Sequence, residues 1–172
     1  DVCSYDLMLN DYLQFAKTQT QESSSTIDLS NLFKEIQKDL KNGNLTLINS
    51  EKTIITARAL SLKRCFENVI NNGLTYGKKV YVSLYKSSNR IIINIEDDGP
   101  GFTEDIIRSL GEPYIKSKDK NFQNNGGLGL GTFLGKTLLE RQSAIITFSN
   151  MSKLKGAKVE IKWRINDLNI SS

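Results

Sequence analysis

Residues 91–101 read Ile-Ile-Ile-Asn-Ile-Glu-Asp-Asp-Gly-Pro-Gly, and this stretch decides the fold. A β-branched apolar run leads to a carboxylate, and glycines follow at once. The run predicts a strand over 91–96 with Asp97 at its end. A carboxylate there is expensive unless it is paired. Gly99 and Gly101 permit a tight turn and a close ligand approach. Taken alone, the stretch reads equally as a plain strand-to-helix turn capped by Asp97 or Asp98. Just upstream, residues 79–85 are a second β-rich run, and Lys86 to Arg90 has the composition of a hairpin loop.

Outward from this hairpin, both flanks carry polar signals that need a reason. Residues 59–76 form the strongest helix pattern, with Leu62, Phe66, Val69, Ile70 and Gly73 on one face. Asn68 and Asn72 are spaced i, i+4, so their amides stack on one side of that helix. Asparagine is a poor helix-interior residue. The pair is either an exposed polar face or a set of carboxamides bidding for Mg²⁺ held mainly by phosphates and water. Glu67 points about 100° away from that side.

On the C-terminal flank, Gly126, Gly127, Gly129 and Gly131 open a helix predicted over 128–141. A glycine there destabilises a helix by roughly 1 kcal/mol relative to alanine. Exposed amides at a helix N-terminus seat an anion. The polar loop 111–127 precedes it and holds Lys116, Lys118 and Lys120, which read singly as solvated lysines and together as a cover for a triphosphate. We expect this loop to be a lid ordered chiefly by nucleotide. Asparagine pair, carboxylate–glycine turn and glycine run, in this order, read together as an ATP site.

The rest of the chain sets bounds. Its 172 residues are 38% apolar, enough for one domain with a sizeable core plus an attached segment. The net charge of +4 is spread along the sequence without a dense basic stripe, which argues against nucleic-acid binding. Cys3 and Cys65 are the only cysteines, and there is no histidine. A thiolate–imidazole metal site, an in-chain histidine base and a phosphohistidine are therefore excluded. No apolar run approaches the roughly 20 residues that span a bilayer. The start at Asp1 suggests an excised piece of a longer protein.

Residues 4–19 carry a helical stripe, Tyr5, Met8, Tyr12, Phe15 and Gln19, that calls for a partner helix. It reads either as core packing within this domain or, in preference, as the end of a truncated helical hairpin or coiled coil. Residues 21–25 read as a linker, and Ser30 as the cap of a helix over 31–41. Short strands are predicted over 45–48 and 53–56, on either side of a turn at Asn49-Ser50-Glu51. A short helix follows over 103–110 with Thr103 as its cap. The last strands are 144–149 and 157–164, and 166–172 is a frayed tail. The pattern favours an α/β sandwich, a mixed sheet covered on one face by helices.

These motifs resemble those of the catalytic ATP-binding domain of sensor histidine kinases, in the superfamily shared with gyrase, the heat-shock chaperones and MutL. Phe66-Glu67-Asn68-Val69-Ile70-Asn71-Asn72-Gly73 is similar to the N box. Asp97-x-Gly99-x-Gly101 is similar to the G1 box, Glu112-Pro113-Tyr114 to the F box, and Gly127-x-Gly129-x-Gly131 to the G2 box. Within the family the sequence looks most like RegB-type kinases, then EnvZ-type. That rests on Gly111-Glu112-Pro113-Tyr114, Lys136 to Arg141, Gly156-Ala157 and Trp163.

The resemblance implies a Bergerat-type fold binding ATP and Mg²⁺. It implies that Asp97 receives the adenine amino group and that Asn68 and Asn72 hold the metal and serve catalysis. It places Tyr76, Lys78, Gly99, Gly101, Lys116, Lys118, Gly127, Leu128, Gly129, Leu130, Gly131 and Thr132 around the nucleotide. Residues 1–21 would be the end of a dimerisation and phosphoacceptor helix, 22–165 the catalytic domain and 166–172 a tail. The acceptor histidine would lie upstream of Asp1. Implied partners are that hairpin, a cognate response regulator and a second copy of the full-length kinase. The chain would be the cytoplasmic portion of a membrane-anchored bacterial protein, touching the membrane only through upstream segments.

Departures from the family pattern are Thr75 in place of Lys or Arg, Gly111 at the F-box aromatic, Gly73 for alanine and Ala157 for threonine. Lys78 or a lid lysine would substitute for the missing cation. The alternative function is a superfamily ATPase that couples hydrolysis to conformational change. Those enzymes carry a glutamate base at the position of Asn68, and an amide cannot take a proton from water.

Overall fold

The computed structural model describes residues 22–41, 43–109 and 144–165. The predicted helix over 4–19, the loop 111–127, the helix 128–141 and the tail lie outside these residues.

Seven strands and three helices make up the described part. In chain order they are β1 (Ser25–Asp28), α1 (Leu29–Asp39), β2 (Leu45–Ser50), β3 (Ile54–Ala57), α2 (Ala59–Tyr76), β4 (Val80–Ser87), β5 (Arg90–Asp97), α3 (Glu104–Ser109), β6 (Ile145–Ser149) and β7 (Lys158–Arg164). Five strands form a mixed sheet in the order β2-β4-β5-β7-β6. Only the β2–β4 pair is parallel. Because α2 lies between β3 and β4, the chain crosses over before β4 runs beside β2. The β4–β5 hairpin closes through Ser88-Asn89, with Ser87 opposite Arg90.

Strand alternation gives the sheet one core face. Register aligns Leu47, Val82, Ile95, Val159 and Phe148 across it, then Leu84, Ile93, Ile161 and Ile146. Against this face pack α1 and α2. Leu29, Leu32, Phe33 and Ile36 are the buried apolar side of α1, and Leu62, Cys65, Phe66 and Ile70 that of α2. Phe33 and Phe66 join the two helices, ring centroids 4.7 Å apart. Cys65 is a free thiol in this core, pushed up to about 12 by burial, which keeps it protonated and inert. On the helix flank, Lys63 holds Glu35 at 2.9 Å and Asp39 at 3.1 Å, with Glu67 at 3.8 Å.

Two expectations from the sequence are corrected. The linker read over 21–25 gives way at Ser25 to β1, which pairs antiparallel with β3 in a separate two-stranded sheet. β2 and β3 therefore belong to different sheets, although only three residues separate them. The cap of α1 is Asp28, not Ser30. Asp28 Oδ1 accepts from the N–H of Ser30 at 3.0 Å and of Thr53 at 3.2 Å, so one carboxylate caps the helix and ties β1 to the segment before β3. Ser30 sits buried inside the first turn, its hydroxyl 2.7 Å from Ser50 Oγ.

Candidate functional site

The C-terminal ends of α2 and β5 meet at the glycine turn, and a cleft opens there. The space between its walls, open solvent at the mouth included, is about 590 Å³. Asn72, Gly73 and Tyr76 come from α2, Ile95 and Asp97 from β5, and Gly101 and Phe102 from the turn. Phe148, Ala157 and Val159 close the far side. The walls are mostly apolar, and among the described residues that line them Asp97 is the one acidic group.

Asp97 is held by its neighbours' backbone. Its Oδ1 accepts from Gly99 N–H at 2.9 Å and Ala157 N–H at 3.0 Å. Its Oδ2 lies toward Gly73, 3.4 Å from where a Cβ there would stand. A Cβ at Gly73 would come within 2.7 Å of Val80 Cγ2, so α2 sits too close to the sheet for an added methyl group unless Val80 shifts. A Cβ at Gly156 would overlap Asp97 itself. Desolvation pushes the Asp97 carboxyl above its ordinary value, the two backbone bonds opposing it. Asp98 behaves oppositely: its Oδ1 accepts from Lys79 N–H at 2.9 Å and Lys78 N–H at 2.7 Å, which lowers its pKa.

The sequence-predicted residues divide into three groups. Asn72, Tyr76, Asp97 and Gly101 share the cleft. Asn68 is half-buried one turn earlier on α2, Gly99 supports Asp97 from behind, and Lys78 is exposed with its backbone on Asp98. Lys116, Lys118, Gly127, Leu128, Gly129, Leu130, Gly131 and Thr132 lie outside the described residues. Thr75 turns its hydroxyl back to the carbonyl of Asn71 at 2.7 Å.

Sequence reasoning missed the loop between β6 and β7. Ser152 Oγ donates to the Asp97 carbonyl at 2.9 Å, and Lys153 N–H donates to Glu96 Oε1 at 2.9 Å. Asn150 bonds both backbone groups of Phe102. These residues are distant in sequence from the glycine turn and carry no spacing signal. Also missed was Glu22, whose carboxylate accepts from Leu60 N–H, Ser61 N–H and Ser61 Oγ at the start of α2.

Among the described residues no group of three or more His, Cys, Asp or Glu side chains could hold a metal. Among the described residues Asn72 lines the cleft and Asn68 is half-buried one turn earlier on the same helix, so a Mg²⁺ taking their amide oxygens would need phosphate and water for most of its shell.

Comparisons with known proteins agree with this geometry. The family model described as histidine kinase-, DNA gyrase B- and HSP90-like ATPase matches residues 57–167. Sensor histidine kinase GtrS of Pseudomonas aeruginosa is 25% identical, the match covering 87% of this chain and 31% of that protein. Sporulation kinase B of Bacillus subtilis is 30% identical over 90% of this chain and 37% of its own length. Sensor histidine kinase RegB of Cereibacter sphaeroides is 32% identical over 59% and 25%. The chain thus spans only about a third of the first two relatives.

Among solved structures, full-length ShkA in complex with AMPPNP superposes with a TM-score of 0.75 at 16% identity, covering 96% of this chain and 36% of that one. The ATP-binding domain of PrrB from Mycobacterium tuberculosis gives 0.66 at 20%, covering 82% and 96%. At these identities the likeness establishes the fold, and the family match adds the lineage. The chain belongs to the histidine kinase-, DNA gyrase B- and HSP90-like ATPase family.

Proposed function

We propose that this chain is the ATP-binding catalytic domain of a sensor histidine kinase. The observation that carries the reading is the state of Asp97. One carboxylate oxygen is fixed by two backbone N–H groups and the other is turned toward an apolar cleft, where it can accept from an adenine amino group. A rigid acceptor in a desolvated slot selects a base bearing a donor. Tyr76, Phe102 and Phe148 supply the flat apolar surface such a base needs.

Asn68 and Asn72 would hold Mg²⁺ at the phosphate end, where the ion offsets phosphate charge. Lys78, Lys116, Lys118 and the run Gly127-Leu128-Gly129-Leu130-Gly131-Thr132 would seat the phosphates. An amide at position 68 cannot take a proton from water, which favours transfer to imidazole over hydrolysis. The chain has no histidine, so the acceptor belongs to another segment. In this reading residues 1–21 are the end of the dimerisation and phosphoacceptor helix. The whole kinase dimerises, passes the phosphoryl group to a response regulator, and presents this domain on the cytoplasmic side of a membrane.

Calorimetry with Mg²⁺-ATP and Mg²⁺-ADP tests the site. The parent should bind both, and Asp97→Asn should weaken both at least tenfold. Radiolabelled ATP should leave the chain unlabelled and label an added hairpin domain with an acid-labile bond. Rapid ATP turnover by the chain alone would point to the hydrolase reading instead.

A further inference from the structure

Asn150 stands just after β6, 48 residues from the glycine turn, yet its carboxamide faces the backbone of Phe102 with both ends. Phe102 N–H donates to Asn150 Oδ1 at 2.7 Å, and Asn150 Nδ2 donates to the Phe102 carbonyl at 2.7 Å. This two-point pairing is what a strand partner would offer, supplied here by one side chain. Phe102 then meets Phe148 edge to face, centroids 6.0 Å apart, and both rings line the cleft. Gly101, directly before Phe102, has φ +82°, and a Cβ on it would stand 2.7 Å from Asn150 Oδ1. The glycine thus serves the turn twice, by its backbone conformation and by leaving room for the amide.

We propose that Asn150 is a positioning residue for the base-binding wall. It does not itself line the cleft and acts through Phe102, which does. Asn150 holds both backbone groups of Phe102, and its loss would let the ring swing from Phe148. Only a carboxamide fits the task. It must accept from an N–H and donate to a carbonyl at one point, which neither a carboxylate nor a hydroxyl does in this geometry.

The inference rests on the nucleotide reading above. The test measures adenosine, ADP and ATP binding by calorimetry on the whole chain, alongside the thermal unfolding midpoint without ligand. Asn150→Ala should weaken all three ligands by a similar factor of about ten, the loss expected from one to two hydrogen bonds. An equal factor for adenosine locates the defect at the base wall rather than at the phosphates. The clamp is exposed to solvent, so the unfolding midpoint should move by only a few degrees. Asn150→Asp should do no better than alanine at neutral pH, because its carboxylate faces the Phe102 carbonyl. Gly101→Ala should weaken binding, and less than additively when combined with Asn150→Ala. Parent-like affinity in Asn150→Ala or Asn150→Asp overturns the clamp and leaves the nucleotide site standing. A loss confined to ATP, or one matched by wholesale unfolding, also overturns it. A parent chain that binds no adenine compound overturns both readings.

Discussion

Asp97 stands under two opposed influences, and their balance makes a pH prediction. Desolvation raises its pKa, while the Ala157 and Gly99 N–H groups lower it. The first dominates, so the folded state holds this proton more tightly than the unfolded chain does. Its contribution to stability therefore grows as pH falls through the window between the unfolded and the higher folded pKa. Nucleotide affinity should move the other way, since a protonated carboxyl no longer offers the adenine amino group a full acceptor. As pH falls, affinity for ADP should begin to drop at a pH above that at which an ordinary aspartate titrates, and Asp97→Asn should show a flat profile there. Calorimetry across the acid range checks both. Asp98 has the contrary sign: its depressed folded pKa gives stability that is present above the ordinary carboxylate value and lost as pH falls through the folded one. At this scale the sequence was legible where chemistry and spacing coincide. A carboxylate after an apolar strand announces itself, whereas Asn150 and Ser152 look like any loop residues until the fold brings them to the turn.

The helix α2 is where local preference and packing disagree. Gly73 weakens it by about 1 kcal/mol relative to alanine, and helix propensity alone would recommend the substitution. The Cβ would then press on Val80 Cγ2 at 2.7 Å, and overpacking of that kind costs about 1–3 kcal/mol. Gly73→Ala should therefore lower stability by up to about 2 kcal/mol in denaturant unfolding, and Val80→Ala in the same chain should relieve part of the loss. At its other end, α2 has Arg58 at the cap position without a capping bond from its side chain. Glu22 takes that role from 38 residues away. Glu22→Ala should destabilise the protein by about 1 kcal/mol, the usual worth of a helix cap, as read from the urea midpoint. The α2 pattern, the β4–β5 hairpin and the last strand were readable from periodicity alone. β1 was not, because four residues beginning Ser-Thr carry too short an alternation to separate a strand from a linker. The cap of α1 was misassigned for a related reason. Asp28 and Ser30 are both good caps, and only the contact with Thr53 selects between them.

For the molecule as a whole, the layout separates two ends of one sheet. Asp97 and the cleft occupy the end of β5 that adjoins β7 at Ala157. At the opposite end Ile91 faces Trp163, the only tryptophan in the chain, 1% exposed in the core. Six residue steps of strand, about 20 Å, separate them. The architecture was legible because the sheet's one-sided alternation is strong. The strand order was not, since pairing between β2 and β4 depends on a crossover that leaves no mark in either strand. The separation has an optical consequence. The indole is buried in the core far from the base, so its emission should be blue-shifted and indifferent to natural nucleotide, yet report faithfully when the core melts. A nucleotide carrying a fluorophore that absorbs near 350 nm would sit within energy-transfer range of the same indole. One native residue thus serves as a donor for measuring occupancy and as a silent witness of folding, with no label attached to the protein.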